Sequence, residues 1–460
     1  MLLRVDSMSN FRAVDRGTGY LLPPSVEEWL PADHLARFVV EIIDQLDFSP
    51  LVEQYRGSGS EAYHPQMLAA LLLYGYATGT HSSRKIEQAC YDSVAYRYIA
   101  ANTHPDHDTL CAFRRRFLPE LQGLFVQVLS IARQMKLLKL GTIALDGTKL
   151  HANASRHNAL SHGRAGQLEE QLKGEVAELL RRAEAVDKSE QKQPLDIPAE
   201  LARREDRLAA IAAAKAEIER RAAERQAREQ AEYEAKLAAR EQKAKDSGKR
   251  PGGKPPSPPS AGVKPTDQVN LTDPDSRIMP RSGGGGFDQS YNAQAAVDTD
   301  TMLIVATRLI DAPADAKQVQ PMIEQLQQLP QALGRPHTLL GDAGFYSAAN
   351  VQHCHQANIQ PLLARRRDQH YLPYYERISE PPPLPATADL TERMLHRLKT
   401  PAGRALYALR KQTVEPVFGI IKHAMRFRQF LLRGKQKVAG EWQLVSLAYN
   451  LKPLHALVPA

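Results

Sequence analysis

A long charged segment at residues 156–267 is the feature that most limits how this chain folds. The segment is rich in Ala, Glu, Arg, Lys and Gln, and it is almost free of aromatic residues. It separates a mostly helical region, which ends near residue 140, from a region after residue 268 in which strand and helix patterns alternate. The sequence therefore predicts a chain of several parts, in keeping with its 460 residues.

Two narrow apolar stripes run through the charged segment at helical spacing. They consist of Leu168, Leu172, Leu179 and Val186, and of Leu201, Leu208, Ile211 and Ile218. Because the prolines of PLDIP (194–198) break a helix between them, we expect a helical hairpin or a short coiled coil within an insertion at 156–245. The Pro/Gly/Lys-rich stretch 246–267 is predicted to be a disordered linker, with a weak phosphate-contacting tether as the alternative.

The flanking regions carry ordinary helix and strand signals. An all-α N-terminal domain is predicted at residues 1–140, with helices at 33–47, 63–79, 82–99 and 109–138. In the second helix, Pro65 stands near the first turn and Gly79 near the end. After the insertion, strands are predicted at 287–298, 301–310, 334–347 and 358–366, and helices at 314–329, 400–429 and 441–454.

The chain is basic, with a net charge of +8 and a pI near 9.2. A positive balance of this size indicates nucleic acid or an anionic surface as a partner, although a merely basic protein is the alternative. The three cysteines lack the spacing of a disulfide framework or a zinc site, which indicates core thiols in a reducing cytoplasm. We expect neither a signal peptide nor a membrane span, since no apolar run approaches the ~18 residues that a span needs.

Two aspartates follow short apolar strands. Asp146 comes after TIAL, and Asp342 comes after HTLLG, each at a predicted change from strand to loop. Ligand sites of α/β sheets form at the carboxyl ends of strands, so adjacent strands would bring the two side chains together. Close carboxylates repel each other unless a cation neutralises them, and such oxygen donors suit Mg²⁺ or Mn²⁺. Alone, Asp146 is equally consistent with a turn cap.

Glu415 is the best candidate for a third carboxylate. It is the only acidic residue of the basic stretch 401–440, where a surface ion pair is the alternative. Apolar neighbours such as Val414 and Val417 indicate that this helix is packed rather than exposed. Lys422 lies seven residues on, about two helical turns, and so shares the face of Glu415.

The motifs ALDGTKLHANAS, GDAGFYS and VEPVFGIIK resemble the three carboxylate motifs of bacterial insertion-sequence transposases of the DDE type. The segments GYLLPPSVEEWLPADHLARFVVEIID and FRRRF are similar to the small helical domain that precedes the catalytic core in many of these enzymes. The resemblance implies an RNase H-like mixed-sheet catalytic core at 141–155 plus 268–455, interrupted by the helical insertion. Asp146 would lie on the first strand, Asp342 after the fourth, and Glu415 on a late helix.

The resemblance also implies a function: binding of transposon terminal repeats, then metal-dependent cleavage and strand transfer into target DNA. Asp146, Asp342 and Glu415 would hold two Mg²⁺ or Mn²⁺ ions. The family pattern around the glutamate is matched by Tyr407 and Lys422. Arg410 stands one residue early, and Lys411 holds the expected spacing.

The sequence offers further DNA contacts, in the core and in the N-terminal domain, with plain solvation as the alternative. They are Tyr407, Arg410, Lys411, Lys422, Lys149, Arg84, Lys85, Arg114, Arg115 and Arg116. Milder expectations are a supporting role for Tyr291, Asn292 and Gln294 beside the site, with a plain β-hairpin as the alternative. Asp273 and Asp275 are expected to cap a loop, with an approach to DNA as the alternative.

The resemblance leads us to expect a cytoplasmic, nucleoid-associated protein that forms a homo-oligomer on DNA. An RNase H-like nuclease without strand transfer and an inactive transposase-derived DNA-binding protein are the alternatives.

Overall fold

The computed structural model describes residues 25–55, 62–187, 196–248, 252–260, 262–281, 284–365 and 374–458. Part of the predicted helix break and the start of the N-terminal motif, GYLLPP, lie outside the described residues. Within them, no helix is long and apolar enough to cross a membrane.

The described residues contain fifteen α-helices and eight strands. The helices are α1 Leu35–Asp44, α2 Ser49–Val52, α3 Pro65–Thr78, α4 Ser83–Asp92, α5 Val94–Ile99, α6 His107–Arg116, α7 Leu121–Gln134, α8 His162–Asp187, α9 Ile197–Ser247, α10 Val319–Gln328, α11 Ala348–Gln356, α12 Tyr374–Ile378, α13 Leu390–Lys399, α14 Pro401–Gly419 and α15 Lys435–Leu457. The strands are β1 Thr142–His151, β2 Ala159–Ser161, β3 Gln268–Asn270, β4 Arg277–Pro280, β5 Phe287–Asp298, β6 Ile304–Ile310, β7 Thr338–Gly341 and β8 Gln360–Leu363.

Six strands form one mixed sheet. Its order is β4–β5–β1–β7–β8. The sixth strand, β6, also pairs with β5, along the part of β5 that follows its pairing with β4. β1 is antiparallel to β5 and parallel to β7, and β7 is parallel to β8. Four strands joined by antiparallel pairing (β4, β6, β5 and β1) and two strands parallel to β1 (β7 and β8), with helices packed on them, make up the predicted RNase H-like α/β core.

The strand β1 corrects one sequence expectation. Asp146 does not end a strand, because β1 continues through it to His151. The antiparallel ladder with β5 runs over the whole of that extension, from Ile143 to His151. Only the parallel ladder with β7 stops at Leu145, so Asp146 lies at the end of one ladder and in the middle of the other.

The N-terminal helices follow the predicted pattern closely. Pro65 opens α3, and Gly79 caps it in a left-handed conformation with φ of 87°. The predicted helix 82–99 is instead two helices, because Ser93 adopts an extended backbone between α4 and α5. The helix α3 is buried on nearly all sides and packs on α15, so the hydrophobic core is continuous from the N-terminal helices to the sheet.

A buried polar cluster links these two regions. The hydroxyl of Tyr76 on α3 donates to Oε1 of Glu441 on α15 (2.8 Å) and accepts from Nη1 of Arg114 on α6 (3.0 Å). The other oxygen of Glu441 accepts the backbone N–H groups of Leu431 and Leu432 at 2.9 and 3.0 Å. Burial raises the pKa of Glu441. These hydrogen bonds and the positive charge of Arg114 act in the opposite direction and lower that pKa.

The insertion forms a helical hairpin of α8 and α9. A small core of its own includes Leu172, Ile211 and Ile218 from the two predicted stripes. The short strands β2 and β3 pair at its base, where Arg225 and Asp267 form a salt bridge of 2.8 Å. In the described part of the predicted linker, residues 252–260 have neither helix nor strand, and Arg240 of α9 donates to the carbonyl of Gly253.

Replacing Glu441 with Ala should destabilise the protein by about 3–5 kcal/mol, because it leaves the charge of Arg114 buried without a carboxylate. The free energy of unfolding, measured by urea denaturation, checks this. Glu53→Ala is the control, since Glu53 is exposed and its loss should change stability by less than about 0.5 kcal/mol. Equal midpoints for wild type and Glu441→Ala would contradict a structural role for the cluster.

Candidate active site

Asp146 and Asp342 lie side by side where the parallel ladder between β1 and β7 ends. Leu145 pairs with Gly341, so the two aspartates are the next residues in register on neighbouring strands. Such strands are about 4.8 Å apart. The backbone at Asp342 is fixed by its own side chain, which accepts from the N–H of Gly344 at 2.8 Å. The structure thus brings together the two carboxylates that the sequence analysis paired.

The charge on Asp146 is poorly solvated. The pKa of its side chain is raised from 3.8 to about 6, mainly by burial and also by the negative charges of Asp342 and Asp315. The backbone N–H of Gly147, at 2.7 Å from Oδ1, and the guanidinium of Arg410 act in the opposite direction. The site therefore holds more negative charge than its own donors neutralise.

Helix α14 covers this edge of the sheet with two predicted residues. Arg410 donates from Nη1 to Oδ2 of Asp146 at 3.2 Å, and its Nη2 lies 3.7 Å from Oε1 of Glu415. Tyr407 donates from its hydroxyl to the carbonyl of Gly341 at 3.3 Å. Lys411 is exposed. Of the two cations that the sequence left open, Arg410 is therefore the one that faces the carboxylates.

Glu415 approaches the site only through Arg410. Its side chain is 58% exposed, and the guanidinium lies between it and Asp146. Across the described ranges, no group of three or more His, Cys, Asp or Glu side chains is close enough to hold a metal ion. The donor chemistry fits a divalent cation, but Glu415 has to leave Arg410 before it can share one with Asp146.

A basic groove of about 450 Å³ lies beyond the end of the site. Its cationic and imidazole side chains are those of Lys149, His151, Arg281, Lys422 and Arg428. Burial lowers the pKa of Lys422, and the nearby charge of Arg428 lowers it further. Two predicted phosphate contacts, Lys149 and Lys422, thus line the same groove.

Lys422 does not stand on a regular continuation of α14. Pro416 lies inside that helix, and residues Ile420–Ala424 form a π-helical turn. The chain then runs beside the end of β1, where Phe430 donates its N–H to the carbonyl of His151 at 2.9 Å. The wider turn places Lys422 on the basic groove.

Gly147 is required by a close approach. A Cβ at this position would overlap the side-chain amide of Gln294, which pairs with it across the β1–β5 ladder. Gln294 and Asn292 are fully buried polar residues on β5, so their amides need partners inside the protein. The predicted supporting role for these two residues stays a prediction, but the structure places both beside the site.

Asp315 is a site residue that the sequence analysis missed. Its Oδ1 accepts from Nδ2 of Asn292 (2.7 Å) and from Nε2 of Gln294 (2.6 Å). In the sequence it reads as an ordinary acid before the helix α10. The only signal was indirect: buried amides at alternate positions of β5 call for an acceptor nearby.

The N-terminal arginines divide into three cases. Arg114 is buried and held by Tyr76 and the carbonyl of His81, so the prediction that it contacts DNA is wrong. Arg116 donates to the carbonyl of Gln54 at 2.6 Å and lies over the rings of neighbouring aromatics. Arg115 is exposed, as are Arg84 and Lys85, and these three remain candidates.

Asp273 and Asp275 cap the helix α15, whereas the sequence predicted that they cap a loop. Asp273 accepts from the backbone N–H of Gly434 at 3.1 Å, and Asp275 from that of Lys435 at 2.9 Å. Both carboxylates therefore stand at the N-terminus of α15, where the helix dipole favours negative charge.

In a chelator, Asp146 should contribute a part of the wild-type stability that declines as the pH rises from about 4 to 7. The pKa of Asp146 is raised to about 6 in the folded state, so the folded state binds more protons than the unfolded chain in this window. A shift of this size corresponds to at most about 3 kcal/mol. Asp146→Asn should remove that part of the decline in urea denaturation, whereas Asp300→Asn, at an exposed aspartate, should not. If the unfolding free energies of wild type and Asp146→Asn changed with pH in parallel, this contribution of Asp146 would be refuted.

Gly147→Ala should cost about 1–3 kcal/mol of unfolding free energy, because the methyl group has to displace the amide of Gln294. Gly174 in α8 is the matched control, since no atom lies within 4 Å of a Cβ there. Gly174→Ala should leave stability unchanged or raise it by up to about 1 kcal/mol. Equal melting temperatures for the two variants would show that the site tolerates a side chain at Gly147.

Comparison with known protein families finds a match for the helical N-terminal region and another for the region of the sheet. The family described as Transposase domain (DUF772) matches residues 24–116, and the family described as Transposase DDE domain matches residues 267–451. No curated protein and no solved structure gives a significant match. The two families together cover more than half of the chain, in the order in which its helical region and its sheet occur. The chain belongs to the insertion-sequence transposases of the DDE type.

Proposed function

We propose that the protein binds the terminal repeats of an insertion sequence and catalyses metal-dependent cleavage and strand transfer of DNA. One observation carries the proposal. Asp146 and Asp342 lie next to each other where the parallel β1–β7 ladder of an RNase H-like sheet ends, under the helix that bears Arg410 and Glu415. In this sheet architecture, the edge where a parallel ladder ends is where ligand sites form.

Divalent cations fit the chemistry of this edge. The donors are carboxylate oxygens, which Mg²⁺ and Mn²⁺ prefer. Asp146 and Asp342 would be the first two ligands, and Glu415 would be the third once its exposed side chain leaves Arg410. Two such ions would supply activation of a water or a 3′-hydroxyl and stabilisation of the leaving oxygen.

The residues around the carboxylates position the substrate. Tyr407 fixes the backbone before Asp342 through the carbonyl of Gly341. Lys149 and Lys422 receive the phosphodiester backbone in the basic groove, without reading its sequence. Lys422 suits this role because its pKa is lowered by burial and by Arg428, and an anion in the groove would relieve both effects.

The exposed cations of the N-terminal helices, Arg84, Lys85 and Arg115, are proposed to contact the transposon ends. Because these helices share the hydrophobic core of the sheet, removing the first 140 residues would expose that core. Surface substitutions are therefore the appropriate probe of end recognition. Two DNA ends have to be handled together, so the protein is proposed to act as an oligomer, on the bacterial chromosome in the cytoplasm.

Two other functions use the same residues. A nuclease of this fold would cut DNA and join nothing, and an inactive descendant would bind DNA without cutting it. The three acidic residues and the two lysines of the groove favour a working enzyme over a decayed one. Joining of a cut 3′-end to a second duplex separates transposase from nuclease.

Asp146→Asn should slow Mg²⁺-dependent nicking of transposon-end DNA by at least about 100-fold, because it removes a charged ligand. Nicking of labelled end DNA by the purified full chain, at a stated salt concentration, measures this. Asp300→Asn should nick like the wild type, since Asp300 is exposed. Wild-type rates for Asp146→Asn would refute the assignment. Nicked ends that never join a target duplex would favour the nuclease instead.

A further inference from the structure

Asp315 stands in the loop before α10, with one oxygen pinned and the other directed to the site. Oδ1 accepts two amide hydrogen bonds, from Asn292 and Gln294, which fix the plane of the carboxylate. Oδ2 lies 3.6 Å from the position that a Cβ on Gly344 would take, and Oδ1 of Asp342 lies 3.0 Å from the same point. The two carboxylates therefore converge on one small volume above Gly344.

Asp315 also lies near Asp146. Its carboxylate is hydrogen-bonded to Gln294, which pairs in the β1–β5 ladder with Gly147, the residue after Asp146. Asp146, Asp342 and Asp315 therefore surround one end of the parallel ladder, and a cation would have to draw their carboxylates closer together, whereas the link from Asp146 to Glu415 runs through Arg410. Like charges at this spacing are stable together when a cation lies between them.

The side chain of Gln294 gives a second, independent indication of a ligand. It is fully buried, and its Oε1 has no hydrogen-bond partner. The amide nitrogen of the same group touches Asp315 at 2.6 Å and lies against Gly147, so the free oxygen is at the site. A buried acceptor without a donor is costly, and a metal-bound water would supply the missing hydrogen.

The pinned geometry is typical of metal ligands. Carboxylates that bind metals are commonly held by hydrogen bonds from neighbouring side chains, which orient the remaining oxygen towards the ion. Asn292 and Gln294 do this for Asp315, and they lie in the part of β5 that is buried at every position. Gly147 and Gly344 leave the space that the arrangement needs.

We propose that Asp315 is a fourth acidic residue of the metal site, and that its free oxygen holds a divalent cation together with Asp146 and Asp342, directly or through a water that also donates to Gln294. The inference rests on the proposed function, and it adds a ligand on the β5 side of the site, away from Glu415 and Arg410.

Binding of Mn²⁺ to the full chain without DNA, measured by electron paramagnetic resonance, tests this without relying on catalysis. Asp315→Asn should weaken Mn²⁺ binding at least about tenfold, and Asp146→Asn should weaken it as well. Asp300→Asn is the control, because it removes the same charge from an exposed position and should bind like the wild type. The asparagine keeps an oxygen for Asn292 and Gln294, and circular dichroism confirms folding.

The outcomes separate the two claims. Wild-type affinity in Asp315→Asn with reduced affinity in Asp146→Asn would overturn the role of Asp315 and leave the proposed function standing. A wild-type chain that binds no Mn²⁺ would overturn both.

A second measurement needs no variant. Fe²⁺ bound at the site, with ascorbate and peroxide, should cleave the wild-type backbone near residue 315 as well as near 146 and 342. Absence of cleavage near 315 would also overturn the inference.

Discussion

The carboxylate of Glu441 is the contact on which the arrangement of the two regions depends. It draws in the hydroxyl of Tyr76 from the N-terminal helices and two backbone N–H groups from the chain that follows the π-helical turn. The next residue, Trp442, donates its indole N–H to the carbonyl of Gln294 at 3.0 Å. Neighbouring residues of α15 therefore hold the N-terminal helices on one side and the strand that supports the site on the other.

The balance between a buried charge and its hydrogen-bond donors also governs the candidate active site, but there the donors are too few. At Glu441 a buried charge is fully provided with donors, which makes the region rigid. At Asp146 the donors are fewer than the charge requires, and Arg410 supplies only part of the difference. A site in this state is less stable than it would be with neutral side chains, and it gains most from a cation. The local instability and the proposed capacity to bind metal thus have one cause.

The sequence correctly predicted features that depend on residues close together in the chain. The helix limits at Pro65 and Gly79 were confirmed because ring geometry and a left-handed backbone act within a few residues. It was wrong about the strand around Asp146, since the antiparallel partner that extends β1 lies over a hundred residues away. The burial of Arg114 and the presence of Asp315 depend on contacts with Tyr76 and Gln294, which lie 38 and 21 residues away in the chain and in other elements. No periodicity within one segment contains that information.

The pairing of β2 with β3 has a consequence for how such chains diversify. The helical hairpin leaves the sheet and returns to it through two strands that are about 4.8 Å apart. With about 1.5 Å of rise per residue, the 51-residue helix α9 spans about 75 Å. A closed base means that insertions or deletions in the hairpin change its reach and leave the register of the sheet untouched. A change in the length of this arm would thus leave Asp146 and Asp342 in the same register of the sheet.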